Sequence, residues 1–289
     1  MAKKIAFLGL GVMGYPMAGH MQNSGCEVTV FNRTLEKAKA WASEYGGNFA
    51  PTPRKAVKDA EIVFACVGAD GDLADICRGD DGAFKGMKKG TIFVDHTTVS
   101  ANISKELASE SRLLGLGYLD APVSGGELGA KNGQLTIMLG GDEREYDRIY
   151  PLIETYSKMQ KLMGPVGAGQ TTKMVNQICI AGAVQGLSEA LHFAMEAGLD
   201  AEAVVEVISK GAAQSWQMEN RYKTMIKGDF DHGFAVDWMR KDLAIVLDEA
   251  EGLGLSLPIT RLIDKFYGEV QEMGGGRQDT SALLRRFRG

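Results

Sequence analysis

The chain has 289 residues, with 32 lysines and arginines against 37 aspartates and glutamates and a net charge of −5. At roughly 100 to 200 residues per domain, this length predicts two domains with ample core, and the acidic balance excludes a global basic field for nucleic acid. Cys26, Cys66, Cys77 and Cys179 form no C-x-x-C pair and three of them lie in apolar runs, so a reduced, cytoplasmic protein is expected.

The opening MAKKIAFLGLGVMG has lysines before an apolar run, as a signal peptide does, but glycines interrupt the run after five residues and no cleavage site closes it. No other segment reaches ~18 uninterrupted apolar residues, so no membrane span is expected. Strand-like runs then alternate with helical patterns: KIAFLG, a helix to about Ser24, EVTVFN, a helix over 34–45, EIVFACV, TIFVD, GYLDAP and LTIMLGG. Such alternation predicts an α/β fold with a doubly wound parallel sheet, and runs as apolar as IVFACV fit strands buried on both faces.

The strand texture stops near Leu162. From about residue 170 to 196 the chain is rich in Ala, Met and Leu and has no proline, which predicts one helix of roughly 40 Å, long enough to join two domains. Further helices are expected at about 200–211, 236–252 and 258–272, the last opening on Pro258. The division is therefore an α/β domain over 1–165 and an all-helical domain over 166–289. The GGG at 274–276 reads as a loop, and the basic LLRRFRG end reads as a solvated helix terminus.

Three stretches carry chemistry. The first is G9-L-G-V-M-G14, directly after a strand and at the opening of a helix. Gly9 permits a tight turn, Gly11 lets backbone approach a pyrophosphate, and Gly14 lets helix pack on strand, with Leu10, Val12 and Met13 between them facing the same ligand. The second strand ends in VTVFNRT. Asn32 stands where an acidic residue would hold a ribose 2′-hydroxyl, and Arg33 and Thr34 follow, so NADP(H) is expected to be preferred, with NAD(H) possible. The alternative is that Arg33 solvates the helix start or stacks on adenine without choosing between cofactors.

In the second stretch, GYLDAP leads into Ser124, Gly125 and Gly126 at the carboxyl end of a strand, where a hydroxyl and bare backbone amides suit a substrate carboxylate. The third is GPVGAGQTTKMVNQ. Gly164, Gly167 and Gly169 have the look of a phosphate-cradling loop, yet they precede a helix that places Lys173, Asn176 and Gln177 on one side. Together these three can meet one small ligand. A lysine ammonium in a water-poor pocket can lend and retake the hydroxyl proton that hydride transfer requires, while Asn176 orients the substrate or the lysine. The bland reading is a lysine whose stem packs on the helix and whose head reaches solvent.

G9-LGVMG, D120-APVSGG, G164-PVGAGQTTKMVN and K241-DL together resemble four signatures of the β-hydroxyacid dehydrogenase family, in the same order and over the whole chain. The resemblance implies a Rossmann domain joined by a long helix to a helical domain, acting on small carboxylate-bearing aldehydes or hydroxy acids. It implies Lys173 as proton donor and acceptor, Asn176, Ser124, Gly125 and Gly126 on the substrate, and Thr98 and Lys241 on the cofactor. Val67 and Gly68 would open the cofactor-facing loop. A homodimer or homotetramer is implied as well.

Two departures are D95-HTT-T98 in place of the frequent D-x-S-T, and GADGD after Val67 in place of leucine-proline. His96 is then either a second titratable group or a satisfied loop residue. Gln214, Ser215 and Trp216 are able to line a substrate pocket, and Trp216 and Trp238 are equally able to be core. The four histidines show no ligand spacing, so no metal is expected. The rival readings are an imine reductase, against which Lys173 counts, a phosphogluconate dehydrogenase, for which the chain is short, and a non-catalytic module of the same fold.

Overall fold

Strand β1 (Lys4–Leu8) sends Ile5 and Phe7 to one face of a sheet and Ala6 and Leu8 to the other. The computed structural model describes residues 2–287, so Arg288 of the basic tail lies outside the described residues. Strand β4 (Ile62–Ala65) repeats the alternation, Ile62 and Phe64 on one face and Val63 and Ala65 on the other. Period-two alternation with apolar residues on both sides is what a strand covered by helices on both faces requires.

With β2 (Glu27–Phe31), β3 (Asn48–Phe49), β5 (Ile92–Asp95) and β6 (Gly117–Asp120), these strands run parallel in the order β3-β2-β1-β4-β5-β6. Beyond β6 the sheet becomes mixed. Strand β8 (Leu135–Gly140) runs antiparallel to β6 and to β7 (Val123–Ser124), and β9 (Ser157–Gly164) pairs with β8 in parallel. The helices between these strands are α1 (Gly14–Asn23), α2 (Leu35–Tyr45), α3 (Pro53–Ala56), α4 (Asp70–Arg78), α5 (Ala101–Leu113), α6 (Gly126–Lys131) and α7 (Glu143–Ile153). The order reverses between β1 and β4, and at such a reversal the strand ends part to leave a crevice.

Helix α8 (Ala168–Glu196) has 29 residues. By length and mean hydropathy it is the one helix among the described residues that could cross a membrane. Its Ala181, Val184, Leu187 and Leu191 instead join the core of a helical unit. The chain divides into two units, Met1–Lys173 and Met174–Gly289.

In the second unit α9 (Ala201–Ile208), α10 (Trp216–Lys227), α11 (Val236–Gly252) and α12 (Pro258–Glu272) surround that core. Helix α10 falls where a pocket-lining stretch around Trp216 was expected. Its ends are plain: the Ser215 hydroxyl accepts from Met218 N–H at 3.1 Å, and Gly228 closes it at φ 74°. Trp216 and Trp238 are both partly exposed, not core. The C-terminal stretch is not a solvated helix end either. Over Thr280–Phe287 it winds as a 3-10 turn that buries Leu283 and Leu284 completely. Its Arg286 lies 3.5 Å over the Phe266 ring and 2.6 Å from Glu269. Two adjacent leucines without water contact outweigh the arginines, whose stems lie on apolar surface.

Candidate active site

The turn between β1 and α1 gives each glycine a different task. Gly9 has φ 99°, and a Cβ there would stand 2.3 Å from Cys66 O. A Cβ on Gly14 would stand 2.0 Å from Gly9 O, so that helix and strand touch only because the side chain is missing. At Gly11 an added Cβ meets nothing within 4 Å. Open space beside Gly11, at the start of a helix with no side-chain cap, is where an anion can approach the backbone amides. Val12 is exposed at the tip and Leu10 is buried beneath it. These residues fit a dinucleotide pyrophosphate.

Asn32, at the end of β2, is held within this turn. Its Oδ1 accepts from Leu10 N–H at 2.9 Å and its Nδ2 donates to Thr34 O at 3.1 Å. The uncharged amide therefore latches the glycine turn. Arg33 extends outward, with a side chain 92 % exposed and Asp72 as an ion-pair partner at 3.4 Å. Thr34 precedes α2 without capping it through its side chain.

At the neighbouring strand ends, Val67 N–H donates to Thr97 Oγ1 at 3.0 Å, which joins the loop of Val67 and Gly68 to the loop of Thr98. Half-buried Ser124 ends β7, and Gly125 and Gly126 follow at φ 127° and 63°, left-handed values that glycine adopts without strain. Both glycines are exposed; a Cβ on Gly125 would stand 3.2 Å from Leu135 Cδ2, while one on Gly126 would meet nothing within 4 Å.

Gly167 and Gly169 cradle an anion that belongs to the protein itself. Asp120 Oδ1 accepts from Gly167 N–H at 2.7 Å, and Oδ2 accepts from Gln170 N–H at 2.9 Å. Burial pushes the Asp120 carboxyl up to about 6, against the pull of the backbone amides of Gly167 and Gln170. The Gln170 side chain is fully buried; its Nε2 donates to Thr97 O at 2.7 Å and its Oε1 accepts from Val99 N–H at 3.2 Å. Lys173 follows three residues later and is buried, with 7 % of its surface exposed. His96 is the satisfied loop residue of the two readings: Nδ1 lies 2.6 Å from Ala121 O and Nε2 lies 2.8 Å from Tyr156 Oη.

In the helical unit, Gln177 does not present itself to a ligand as its spacing suggested. It is buried, with Nε2 donating to Asp242 Oδ2 at 2.6 Å and Oε1 accepting from Asn176 Nδ2 at 2.8 Å. A carboxylate only accepts, so Asp242 fixes the way round of Gln177, which in turn fixes Asn176. Lys241 lies 3.1 Å from Asp242 and 5.8 Å from the Trp238 ring centre. Asp120, Gln170, Tyr156 and Asp242 were missed from sequence. The glycines at 167 and 169 signalled an anion without saying whose. Among the described residues no group of three or more His, Cys, Asp or Glu side chains could hold a metal.

A 3-2-1-4-5-6 parallel sheet with a glycine turn at its switch point defines a dinucleotide-binding fold. Residues 4–175 match the family described as the NAD binding domain of 6-phosphogluconate dehydrogenase, and residues 167–287 match the NAD-binding domain of NADP-dependent 3-hydroxyisobutyrate dehydrogenase. An uncharacterized oxidoreductase of Shewanella frigidimarina is 59% identical over 98% of both chains. The 2-hydroxy-3-oxopropionate reductase of Escherichia coli is 37% identical over 97% of this chain and 96% of its own. The structure of Mycobacterium tuberculosis 3-hydroxyisobutyrate dehydrogenase with L-serine superposes over 100% of both chains, with a TM-score of 0.90 and 28% identity. The chain belongs to the β-hydroxyacid dehydrogenase family and is an NAD(P)-dependent oxidoreductase.

Proposed function

We propose that this enzyme interconverts a small β-hydroxy acid and its semialdehyde, prefers NADP(H), and uses Lys173 as proton donor and acceptor. The observation that carries the reading is the burial of Lys173 one turn into α8. Burial puts the lysine amine in a water-poor setting, which suits proton exchange with a carbonyl oxygen. The bound cofactor supplies or accepts the hydride. As the carbonyl carbon gains hydride, the Lys173 ammonium gives its proton to the oxygen, and in the reverse direction neutral Lys173 takes the hydroxyl proton.

In this reading Ser124 and the amides at Gly125 and Gly126 hold the substrate carboxylate, and Asn176 meets the substrate. Leu10 to Met13, Val67, Gly68, Thr98 and Lys241 hold the cofactor. The 2′-phosphate preference is supported by the neutral Asn32 amide, which repels no anion, and by the outward guanidinium of Arg33. A homodimer or homotetramer belongs to the same proposal.

The test is NADPH and NADH oxidation against glyoxylate and the semialdehydes of succinate, tartronate and methylmalonate, with Lys173→Ala beside the wild type. Turnover with one of these acids, reduced at least ~10²-fold in the variant with cofactor affinity unchanged, is expected. Undiminished turnover by Lys173→Ala would remove the lysine from the chemistry, and turnover of cyclic imines alone would move the enzyme to C=N reduction.

A further inference from the structure

We propose that Asp120 is a positioning residue for the reaction: by anchoring the first turn of α8 it fixes where Lys173 stands beside the loops that end β5 and β6. The inference rests on the reading of Lys173 given above and adds the residue that holds it in place.

Asp120 is the last residue of β6 and has no exposed surface. Four residues later the same chain segment becomes Ser124. Its two carboxylate oxygens take the amide hydrogens of Gly167 and Gln170, which as the leading N–H groups of a helix have no partner within it. The cradle is shaped for a carboxylate. A Cβ on Gly140 would stand 2.6 Å from Asp120 Oδ1, and one on Gly169 would stand 2.8 Å from Oδ2 and 2.5 Å from Met138 O. Glycine at both places lets strand, turn and carboxylate close on one another.

Gln170 carries the connection onward. Its backbone N–H donates to Asp120 Oδ2, and its side chain donates to Thr97 O and accepts from Val99 N–H, on either side of Thr98. Thr97 in turn holds Val67 N–H. The loops at 67–68, 97–99 and 120–126 and the first turn of α8 are thus one hydrogen-bonded body. Lys173 stands three residues beyond Gln170, on the same side of the helix.

A helix cap kept for stability alone would not need a charge here. Ionising Asp120 is resisted by burial, as its raised proton affinity records, and a neutral cap would avoid that cost. What the carboxylate provides that an amide cannot is two acceptors at once. Asp120→Asn keeps the shape but turns an NH2 group toward one of the two backbone N–H groups, so one contact becomes donor against donor. The first turn of α8 must then shift, and a displacement on the order of 1 Å at a reacting group can cost ~10²-fold.

The experiment compares wild type, Asp120→Asn, Lys173→Ala and Thr52→Ala. Thr52 caps α3 from outside the site and serves as a control for lost stability. Cofactor-binding sites are counted by NADPH fluorescence, and kcat per site is followed against pH. Asp120→Asn is expected to bind NADPH within about twofold of wild type, to lose at least about tenfold in kcat per site, and to shift the pH profile of kcat, while Thr52→Ala changes neither. Wild-type kcat per site and an unmoved profile in Asp120→Asn, with Lys173→Ala inactive, would overturn this inference alone. An active Lys173→Ala would overturn the proposed function and this inference with it. If Asp120→Asn does not fold, Gln170→Met, which cuts the link to Thr97 and Val99 while leaving the carboxylate, is expected to show the same split, and wild-type kcat there overturns the inference.

Discussion

At His96 both ring nitrogens are committed. A carbonyl only accepts, so Nδ1–H donates to Ala121 O, and Nε2 is left to accept from the Tyr156 hydroxyl. The ring also lies parallel to Phe64 at 5.7 Å. Burial lowers its proton affinity to about 4 from the usual 6.5. The unfolded chain therefore binds a proton that the fold refuses: the stability tied to neutral His96 is present above pH 6.5 and is lost as pH falls through about 4. Asp120 has the opposite sign. With its folded value raised to about 6 from 3.8, its stability is present below pH 3.8 and is lost as pH rises through about 6. Between those limits the two slopes offset each other. In urea unfolding from pH 6.5 to 4.5, the stability gap between wild type and His96→Asn should narrow by up to roughly 1.4 kcal/mol per pH unit, while the gap to Asp120→Asn widens. A His96→Asn gap that does not change with pH would mean the ring titrates alike in both states. At the other edge of the site, Arg33→Ala should raise the KM for NADPH at least about tenfold, or 1.4 kcal/mol, and leave that for NADH within about twofold. Equal effects on both cofactors would return Arg33 to the role of stacking on adenine or solvating the helix start.

The elements show how a motif can be read correctly in outline and still hide its geometry. The β1 to α1 turn was legible because its glycine spacing follows a strand and opens a helix, and its three glycines separate into distinct physical roles. Gly14→Ala forces a methyl to 2.0 Å from Gly9 O and should destabilise the first unit by about 1–3 kcal/mol. Gly11→Ala places a methyl in open space, so its melting temperature should match wild type while the NADPH dissociation constant, measured by titration calorimetry, rises about tenfold. Loss of stability at Gly11 with unchanged affinity would put the pyrophosphate elsewhere. The strands of the first half were legible because burial on both faces demands uninterrupted apolar runs. Strand β9, SKMQKLMG, was not, since it pairs with β8 alone, is largely exposed and has no β-branched residue. Helix α10 left a readable signal that was passed over: Met218, Tyr222 and Met225 at helical spacing, between a serine cap and a terminal glycine. The destination of the Gly167 and Gly169 amides had no local signal at all. The carboxylate that takes the Gly167 N–H is 47 residues away, and only the finished sheet brings it there.

For the chain as a whole, the change from alternating strands to helix-period sequence announced two units. What closes the second was invisible, because it depends on a buried aspartate late in the chain. Asp279 is 1 % exposed in its side chain and gathers contacts from three stretches. Oδ1 takes Arg221 Nε at 3.2 Å and the Ser281 hydroxyl at 2.6 Å, and Oδ2 takes Phe234 N–H at 2.9 Å. Gly233 is held at φ 71°, and a Cβ there would lie 2.0 Å from Asp279 Oδ2, so the loop before α11 is built around the carboxylate. Through these contacts the 3-10 turn carrying Leu283 and Leu284 is fastened to the helical core. Asp279→Ala leaves the Arg221 guanidinium, itself 20 % exposed, and a backbone N–H without their acceptor, and should cost about 3–5 kcal/mol. Trp216 can report it, since the Arg221 guanidinium lies 4.9 Å from its ring centre. In a Trp41→Phe background the remaining tryptophans, Trp216 and Trp238, both belong to the helical unit, so urea unfolding followed by their emission reads that unit directly. Adding Asp279→Ala should move the midpoint to lower urea with the slope unchanged. An unmoved midpoint would mean that water replaces the carboxylate at Arg221 and that the buried leucines alone hold the C-terminal turn.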